Sequence, residues 1–314
     1  MVRGIVPVVW REEVPGWLPG WCVRHLGHAP VGVLFGARSM SAVFGLRLAD
    51  GREVVVKARE DDGRAASCVA AQLRLAERGF PCARPLTPAV GAGGLAVHAE
   101  EFRPGGEPLP GDSPDVAERY AAVFARLMAE LAGVTVPPPL PNPRWSRWDH
   151  AGPGPWPALA FLDERDQSAV PAYVVDTARR ARGRLWSADL PPVLGHADFE
   201  AQNLRWRGGE VWTVHDWDSL AWQPEAALAG AASGTFASAT PPTLAPVESS
   251  AAFLEAYQEL RGRRFTPEER EIAWAASLWP AAHNARWEAL HGTPPVCGEA
   301  LRAQAAERLR RAGA

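Results

Sequence analysis

The residues best equipped for chemistry crowd into one stretch, GHADFEAQNLRWRGGEVWTVHDWDSL, from Gly195 to Leu220. It brings His196, Asp198, Asn203 and Asp216 close together in the chain: two carboxylates, an amide and an imidazole. Leu204 to Trp206 and Val211 to Val214 read as strands joined at Arg207-Gly208-Gly209, and that hairpin returns Asp216 to the end where Asn203 sits. Two oxygen ligands converging there suit magnesium, which takes few protein ligands and keeps water and phosphate oxygens around it. A cation so placed would neutralise charge on a transferring phosphoryl group.

The HADFEAQN portion has the H-x-D-x-x-x-x-N spacing of loops in which the aspartate accepts a hydroxyl proton and the asparagine binds magnesium. Through these residues the chain resembles the aminoglycoside phosphotransferase and choline kinase-like superfamily. Its usual signature is a histidine-glycine-aspartate loop, an asparagine five residues on, and a later isoleucine-aspartate. The corresponding residues are His196-Ala197-Asp198, Asn203, and Asp216 in the VHDWD run, with alanine in place of the glycine. The resemblance implies an α+β, protein kinase-like fold of two lobes, a small antiparallel-sheet lobe (1–103) and a larger, mainly helical lobe (104–314). It implies ATP as donor, with GTP also open, and Mg2+ as cofactor. Asp198 is then the catalytic base, and Asn203 and Asp216 hold the metal. Lys57, in VVVK, resembles the third-strand lysine that contacts ATP phosphates. Ser39, Met40 and Ser41 lie where the nucleotide-positioning loop joins the first two strands, and Glu101 and Phe102 match the hinge beside the base. His196 is expected to brace the loop.

One departure stands out. Relatives usually pair the lysine with a glutamate on the helix after the third strand, whereas AASCVAAQLRLAERG offers no acid before Glu77. Gln72, or an acid outside the helix such as Glu60, is left to orient Lys57.

The elements that must position these groups can be read from pattern. Val31 to Glu60 forms three apolar-rich runs, separated by ARSMS and by ADGR, as two successive hairpins. A helix follows, with Val69, Leu73 and Ala76 at helical spacing and Gly79 past its end, and LAVHAEEF is a further strand leading to Arg103-Pro104-Gly105-Gly106. After Ser113-Pro114, an apolar stripe from Val116 to Leu131 predicts the spine helix of the second lobe. VPPPLPNPRW reads as a surface crossing. Thr266-Pro267-Glu268-Glu269 opens a helix that Pro280 should kink or split, and Gly298 to Arg311 is another amphipathic helix.

Composition narrows the function classes. With 314 residues and 47% hydrophobic content the chain can bury a sizeable core. Its 33 basic and 36 acidic residues are interspersed, so no footprint for nucleic acid is present. No stretch has the length of a signal peptide or a membrane span, and a cytoplasmic location is the expectation. Cys22, Cys68, Cys82 and Cys297 lack zinc or disulfide spacing and read as reduced, buried thiols. Asp218 and Glu200 flank the predicted centre as contacts to substrate or to solvent. On the helix after Thr266, His283, Asn284, Trp287 and Glu288 are candidates for the acceptor pocket, with packing as the alternative. The expected activity is transfer of a γ-phosphoryl group to the hydroxyl of a small molecule. The competing class is a catalytically weak nucleotide-binding pseudokinase, motivated by the absent helix glutamate.

Overall fold

The computed structural model describes residues 15–38, 41–136, 140 and 142–314. A short helix, α1 (Leu18–Leu26), precedes three meandering strands, β1 (Pro30–Arg38), β2 (Ser41–Leu48) and β3 (Glu53–Glu60). Helix α2 (Ala65–Glu77) follows, then β4 (Val90–Ala92) and β5 (Leu95–Glu101), completing an antiparallel sheet in the order β1-β2-β3-β5-β4. The short β4 was not evident in the sequence pattern; it pairs with β5 across Gly93-Gly94, both at positive φ.

The two-residue alternation of a strand decides what each face of this sheet can do. Val54, Val56 and Ala58 of β3, with Val97 and Ala99 of β5, pack into a core with Leu18, Trp21, Cys22 and Leu26 of α1. Their alternates, Lys57 and Arg59 on β3 and His98 and Glu100 on β5, therefore share the opposite face. That face lies toward α2, whose buried residues are Cys68, Ala71, Gln72 and Leu75 together with Ala65, Ser67 and Val69. The sequence stripe of Val69, Leu73 and Ala76 is thus only partly the buried one, and it is a polar residue, Gln72, that reaches the sheet.

The second lobe is built from α3 (Pro114–Leu131), α4 (Ala160–Asp163), α5 (Ala172–Trp186), α6 (Glu225–Thr235), α7 (Val247–Arg261), α8 (Pro267–His291) and α9 (Val296–Arg311). Between them lie two small antiparallel pairs: β6 (Pro192–His196) with β9 (Leu220–Pro224), and β7 (Leu204–Arg207) with β8 (Glu210–Val214). The α3 stripe supplies the spine, with Tyr120 and Phe124 meeting Phe199, Phe236, Phe253 and Tyr257 in tilted and edge-on contacts. Ser113 caps this helix by accepting from the Val116 amide, with Pro114 in its first turn.

Two sequence expectations are corrected. Helix α8 runs as one element through Pro280 instead of splitting there. Its neighbours hold it: α6 meets it at Gly230 and Gly234, where a Cβ would lie 2.1 Å from the Ala273 carbonyl oxygen and 2.5 Å from that of Ser277. Backbones this close leave room for no side chain, and the contact so gained outweighs one lost helical hydrogen bond, of about 1 kcal/mol net. Nor do all the described residues of the proline-rich crossing lie at the surface, because Val136, Leu140 and Trp145 are buried in the core of the large lobe. All four cysteines are free and buried. No helix among the described residues is long and apolar enough to cross a membrane.

Candidate active site

Strand β6 ends at His196, paired with Leu220 of β9, so the Asp198 loop and the Asp216 turn leave the same small sheet side by side. His196 then ties them together: its Nδ1 accepts from the Asp198 amide (3.2 Å), which leaves Nε2–H to donate to the His215 carbonyl (3.1 Å). Asn203 closes the loop, its Nδ2 donating to the Asp198 carbonyl (2.9 Å) and to Asp198 Oδ2 (3.2 Å). With the nitrogen so engaged, the amide oxygen of Asn203 is turned to the other side. The His215 amide donates to the Asn203 carbonyl (2.8 Å), setting Asp216 one residue away from it.

Asp216 has a left-handed backbone, at φ 60° and ψ 49°, the one non-glycine residue with positive φ among those described. Such a conformation costs about 1–3 kcal/mol and persists only where its surroundings hold it. Here the Ser219 hydroxyl donates to Asp216 Oδ2 (2.7 Å) and the Ser219 amide to the Asp216 carbonyl (3.0 Å).

The missing partner of Lys57 is found on the sheet. Lys57 Nζ lies 2.8 Å from Oε1 of Glu100, on the adjacent strand β5. Gln72 of α2 donates from Nε2 to Glu100 Oε2 (2.9 Å) and to the Ala83 carbonyl (2.7 Å). Of the acids weighed from sequence, Glu60 is instead near Arg144 (3.7 Å), and Glu77, at the end of α2, meets Arg74 and Arg84. The observation behind the pseudokinase alternative, a lysine without its acid, is thereby removed.

Arg59, which sequence reasoning passed over, holds Asp218 Oδ1 at 3.0 Å from the same face of β3. The Ser41 hydroxyl donates to Asp218 Oδ2 (3.2 Å), and Arg64, just before α2, donates to the carbonyls of Asp218 and Leu220. Asp218 thus fastens the sheet lobe onto the Asp216 turn and is spent on that contact. The signal for Arg59 was its i+2 relation to Lys57.

Electrostatically the two sides differ. Burial alone would push the Lys57 ammonium down, but Glu100 and then Asp218 outweigh it and hold its pKa above the ordinary lysine value. Against its own burial, Glu100 is kept below the usual carboxylate range by Lys57, and Asp218 likewise by Arg59 and Lys57. Asp216 is raised by burial and by the charges of Asp198 and Asp218. Glu200, buried beside the loop, is raised well above a normal glutamate by burial and by Asp198, and its Oε1 accepts from Gln202 Nε2. Among the described residues no group of three His, Cys, Asp or Glu forms a metal cage. Asn203 and Asp216 offer the smaller set, one amide oxygen and one carboxylate beside a negative surplus, and that donor chemistry fits a magnesium ion whose remaining ligands come from phosphate and water.

The other predicted residues are distributed as follows. Ser39 and Met40 lie outside the described residues. Glu101 is exposed, and its amide donates to the Arg84 carbonyl (2.9 Å); Phe102 is half-buried, its ring 5.7 Å from that of Phe35 on β1. His283 and Asn284 are buried in α8. Trp287 stacks on His291 at 4.1 Å. Glu288 caps α9, accepting from the amides of Cys297 (2.8 Å) and Gly298 (2.9 Å), so its carboxylate is committed to joining two helices and is not presented to an acceptor.

No curated protein matches the sequence. Among solved structures, the chain is similar to the amicoumacin kinase hAmiN in complex with AMP-PNP, Ca2+ and Ami, at 13% identity and a TM-score of 0.62, with 90% of each chain covered. An aminoglycoside phosphotransferase from Alicyclobacillus acidocaldarius matches at 14% identity and a TM-score of 0.55, with 96% of each chain covered. A thermostable mutant of aminoglycoside phosphotransferase APH(4)-Ia, in a ternary complex with ADP and hygromycin B, matches at 18% identity and a TM-score of 0.53, covering 95% of this chain and 99% of that one. These likenesses establish the two-lobed, kinase-like fold. A family model described as the phosphotransferase enzyme family matches residues 40–227, from the start of β2 to the start of α6. That span takes in Lys57, Glu100 and the whole Gly195 to Leu220 stretch, and the chain belongs to the phosphotransferase enzyme family.

Proposed function

We propose that the protein is a cytoplasmic, ATP-dependent small-molecule kinase that moves the γ-phosphoryl group onto an alcohol. The observation that carries this reading is the hydrogen-bonded unit of His196, Asp198, Asn203 and His215, which sets a carboxylate beside an asparagine and a strained aspartate and faces the Lys57–Glu100 pair. Lys57 is within electrostatic reach of Asp216, so the two halves address one space.

In this reading Asp198 orients the acceptor hydroxyl and takes its proton as the alcohol oxygen bonds to the γ-phosphorus and ADP departs. Lys57, kept charged by Glu100, draws on the phosphate oxygens, with Arg59 behind it. Asn203 and Asp216 would hold Mg2+, which supplies charge neutralisation along the phosphates when bound. Glu101 and Phe102 form the hinge against the base, and the lobes divide at residues 103 and 104. Catalysis of this kind rests on positioning and charge more than on covalent chemistry.

The deciding experiment is transfer of labelled phosphate from ATP, with and without magnesium, to a panel of aminoglycosides, macrolides, sugars, amino alcohols and hydroxy acids, with Asp198→Ala as control. Magnesium-dependent labelling that the variant abolishes is expected. Labelling that the variant retains would take Asp198 out of the mechanism, and failure of the protein to bind magnesium-nucleotide would sink the kinase reading.

A further inference from the structure

Nearly all buried polar atoms find a partner, and a departure gathered in one place calls for an explanation. On α8, Trp279, His283 and Arg286 follow one another at four and three residues and share one face. All three are buried, yet Nε1 of Trp279, both ring nitrogens of His283, and Nε and Nη1 of Arg286 have no hydrogen-bond partner. Trp156 covers this face. Its ring lies 6.1 Å from that of Trp279 and edge-on to His283 at 5.9 Å, with the Arg286 guanidinium 5.2 Å from its centre. Trp156 is partly exposed, in a segment at 151–158 without helix or strand.

Helix α8, which carries the cluster, is linked to the catalytic loop through its neighbours. Helix α6, packed along α8, reaches the loop through the Thr235 hydroxyl, which donates to the Phe199 carbonyl (3.4 Å). Cys297, whose thiol sits on the Ala281 carbonyl of α8 (3.3 Å), feels the charge of Glu200.

What the face offers a ligand is mostly donors: two kinds of guanidinium N–H, an indole N–H and one imidazole N–H. The nearby carboxylate, Asp163, is already bonded to Arg286 Nη2 (2.7 Å), which also donates to Gln167 Oε1 (2.9 Å). Burial, with Arg286 adding to it, pushes the His283 imidazole down to about 3, so the ring enters as neutral. Donors beside indole faces match an oxygen-rich, planar molecule, and a polycation would find a guanidinium where it needs carboxylates.

Resting on the phosphotransferase reading, we propose that the Trp279–His283–Arg286 face with Trp156 binds the acceptor, and that the acceptor is an alcohol carrying a carboxylate or similar anionic oxygen group beside a flat ring. In the reaction its hydroxyl oxygen takes the γ-phosphoryl group, its proton passes to Asp198, and ADP leaves.

The test titrates the full chain, with Mg·ADP bound, with 4-(hydroxymethyl)benzoate, 4-(aminomethyl)benzyl alcohol and kanamycin, following tryptophan fluorescence and heat. The carboxylate is expected to bind at least about tenfold more tightly than either amine. Arg286→Gln should remove that preference. His283→Phe, which keeps a ring against Trp156, should weaken the carboxylate about tenfold without changing Mg·ADP affinity. Equal or tighter binding of an amine, no binding of the carboxylate, or a preference untouched by both variants would overturn the proposal. The same titrations are repeated without nucleotide, so absence of Mg·ADP binding in the wild type would count against the kinase reading alone while the carboxylate preference is still read.

Discussion

Two acidic clusters face each other across the site, and only one of them is balanced by the protein itself. On the sheet side Glu100 is matched by Lys57 and Asp218 by Arg59. On the loop side Asp216 is raised by burial and by Asp198, Glu200 by burial and by Asp198 and Asp216, and none of the three carboxylates has an ion-pair partner within 4 Å among the described residues. The first cluster is finished by folding, and its charges depress one another's carboxylate pKa values. Like charges left together on the second carry a cost that a cationic ligand would offset. The lesson is that stability and function can be sorted by asking which buried charges the chain has already answered.

The comparison can be broken or sharpened by substitution. Asp198→Ala, on the unbalanced side, should cost two to four orders of magnitude, about 10²–10⁴, in turnover, because it removes a general base. Nucleotide affinity, measured by calorimetry, should barely change; a parallel loss of binding would mean that Asp198 holds the nucleotide instead. Asp216→Ala should give the converse, a drop of about tenfold to a hundredfold in magnesium-dependent nucleotide affinity, an estimate for one lost charged ligand worth about 1.5–3 kcal/mol. Normal binding by this variant would expose the metal assignment as an error.

On the balanced side Glu100→Gln leaves Lys57 buried without its counter-charge, which should destabilise the fold by about 3–5 kcal/mol in thermal or urea unfolding. The sign with pH follows. The lowered pKa of Glu100 contributes stability that is fully present above the ordinary glutamate value of 4.5 and is lost as pH falls through the depressed folded value. The variant should therefore flatten the acid limb of the stability profile. An unchanged acid limb would show that the pair is not what holds this face together.

Glu200→Gln is the smallest expected effect and the opposite in sign. With a raised folded pKa, Glu200 costs stability as pH rises through that value, so the glutamine variant should match or slightly exceed wild type, increasingly so toward alkaline pH. Destabilisation comparable to that of Glu100→Gln would erase the distinction between the clusters.

How much of this could be read from sequence depended on distance along the chain. Asp198, Asn203 and Asp216 were legible because one loop and one hairpin contain them, and the Thr266 capping box was legible because it spans a single helical turn. Glu100 was not. Its pairing with Lys57 depends on the β3–β5 register, which sets Val55 opposite Glu100 and Lys57 opposite His98. In HAEE the alternation sends Glu100 inward and Glu101 outward, and only knowledge of which face carries Lys57 tells the two acids apart. The passage of α8 through Pro280 was hidden for a similar reason, since local chemistry argued for a break and packing against α6 decided otherwise.

The placement of Glu100 has one more consequence. An acid carried on a helix can swing away from its lysine, and an enzyme so built can be turned off by rotating that helix. Here the acid and the lysine stand on adjacent strands of one sheet, joined by main-chain hydrogen bonds, while α2 only touches the pair through Gln72. Rotation of α2 would withdraw Gln72 from Glu100 and leave the two charges side by side on the sheet.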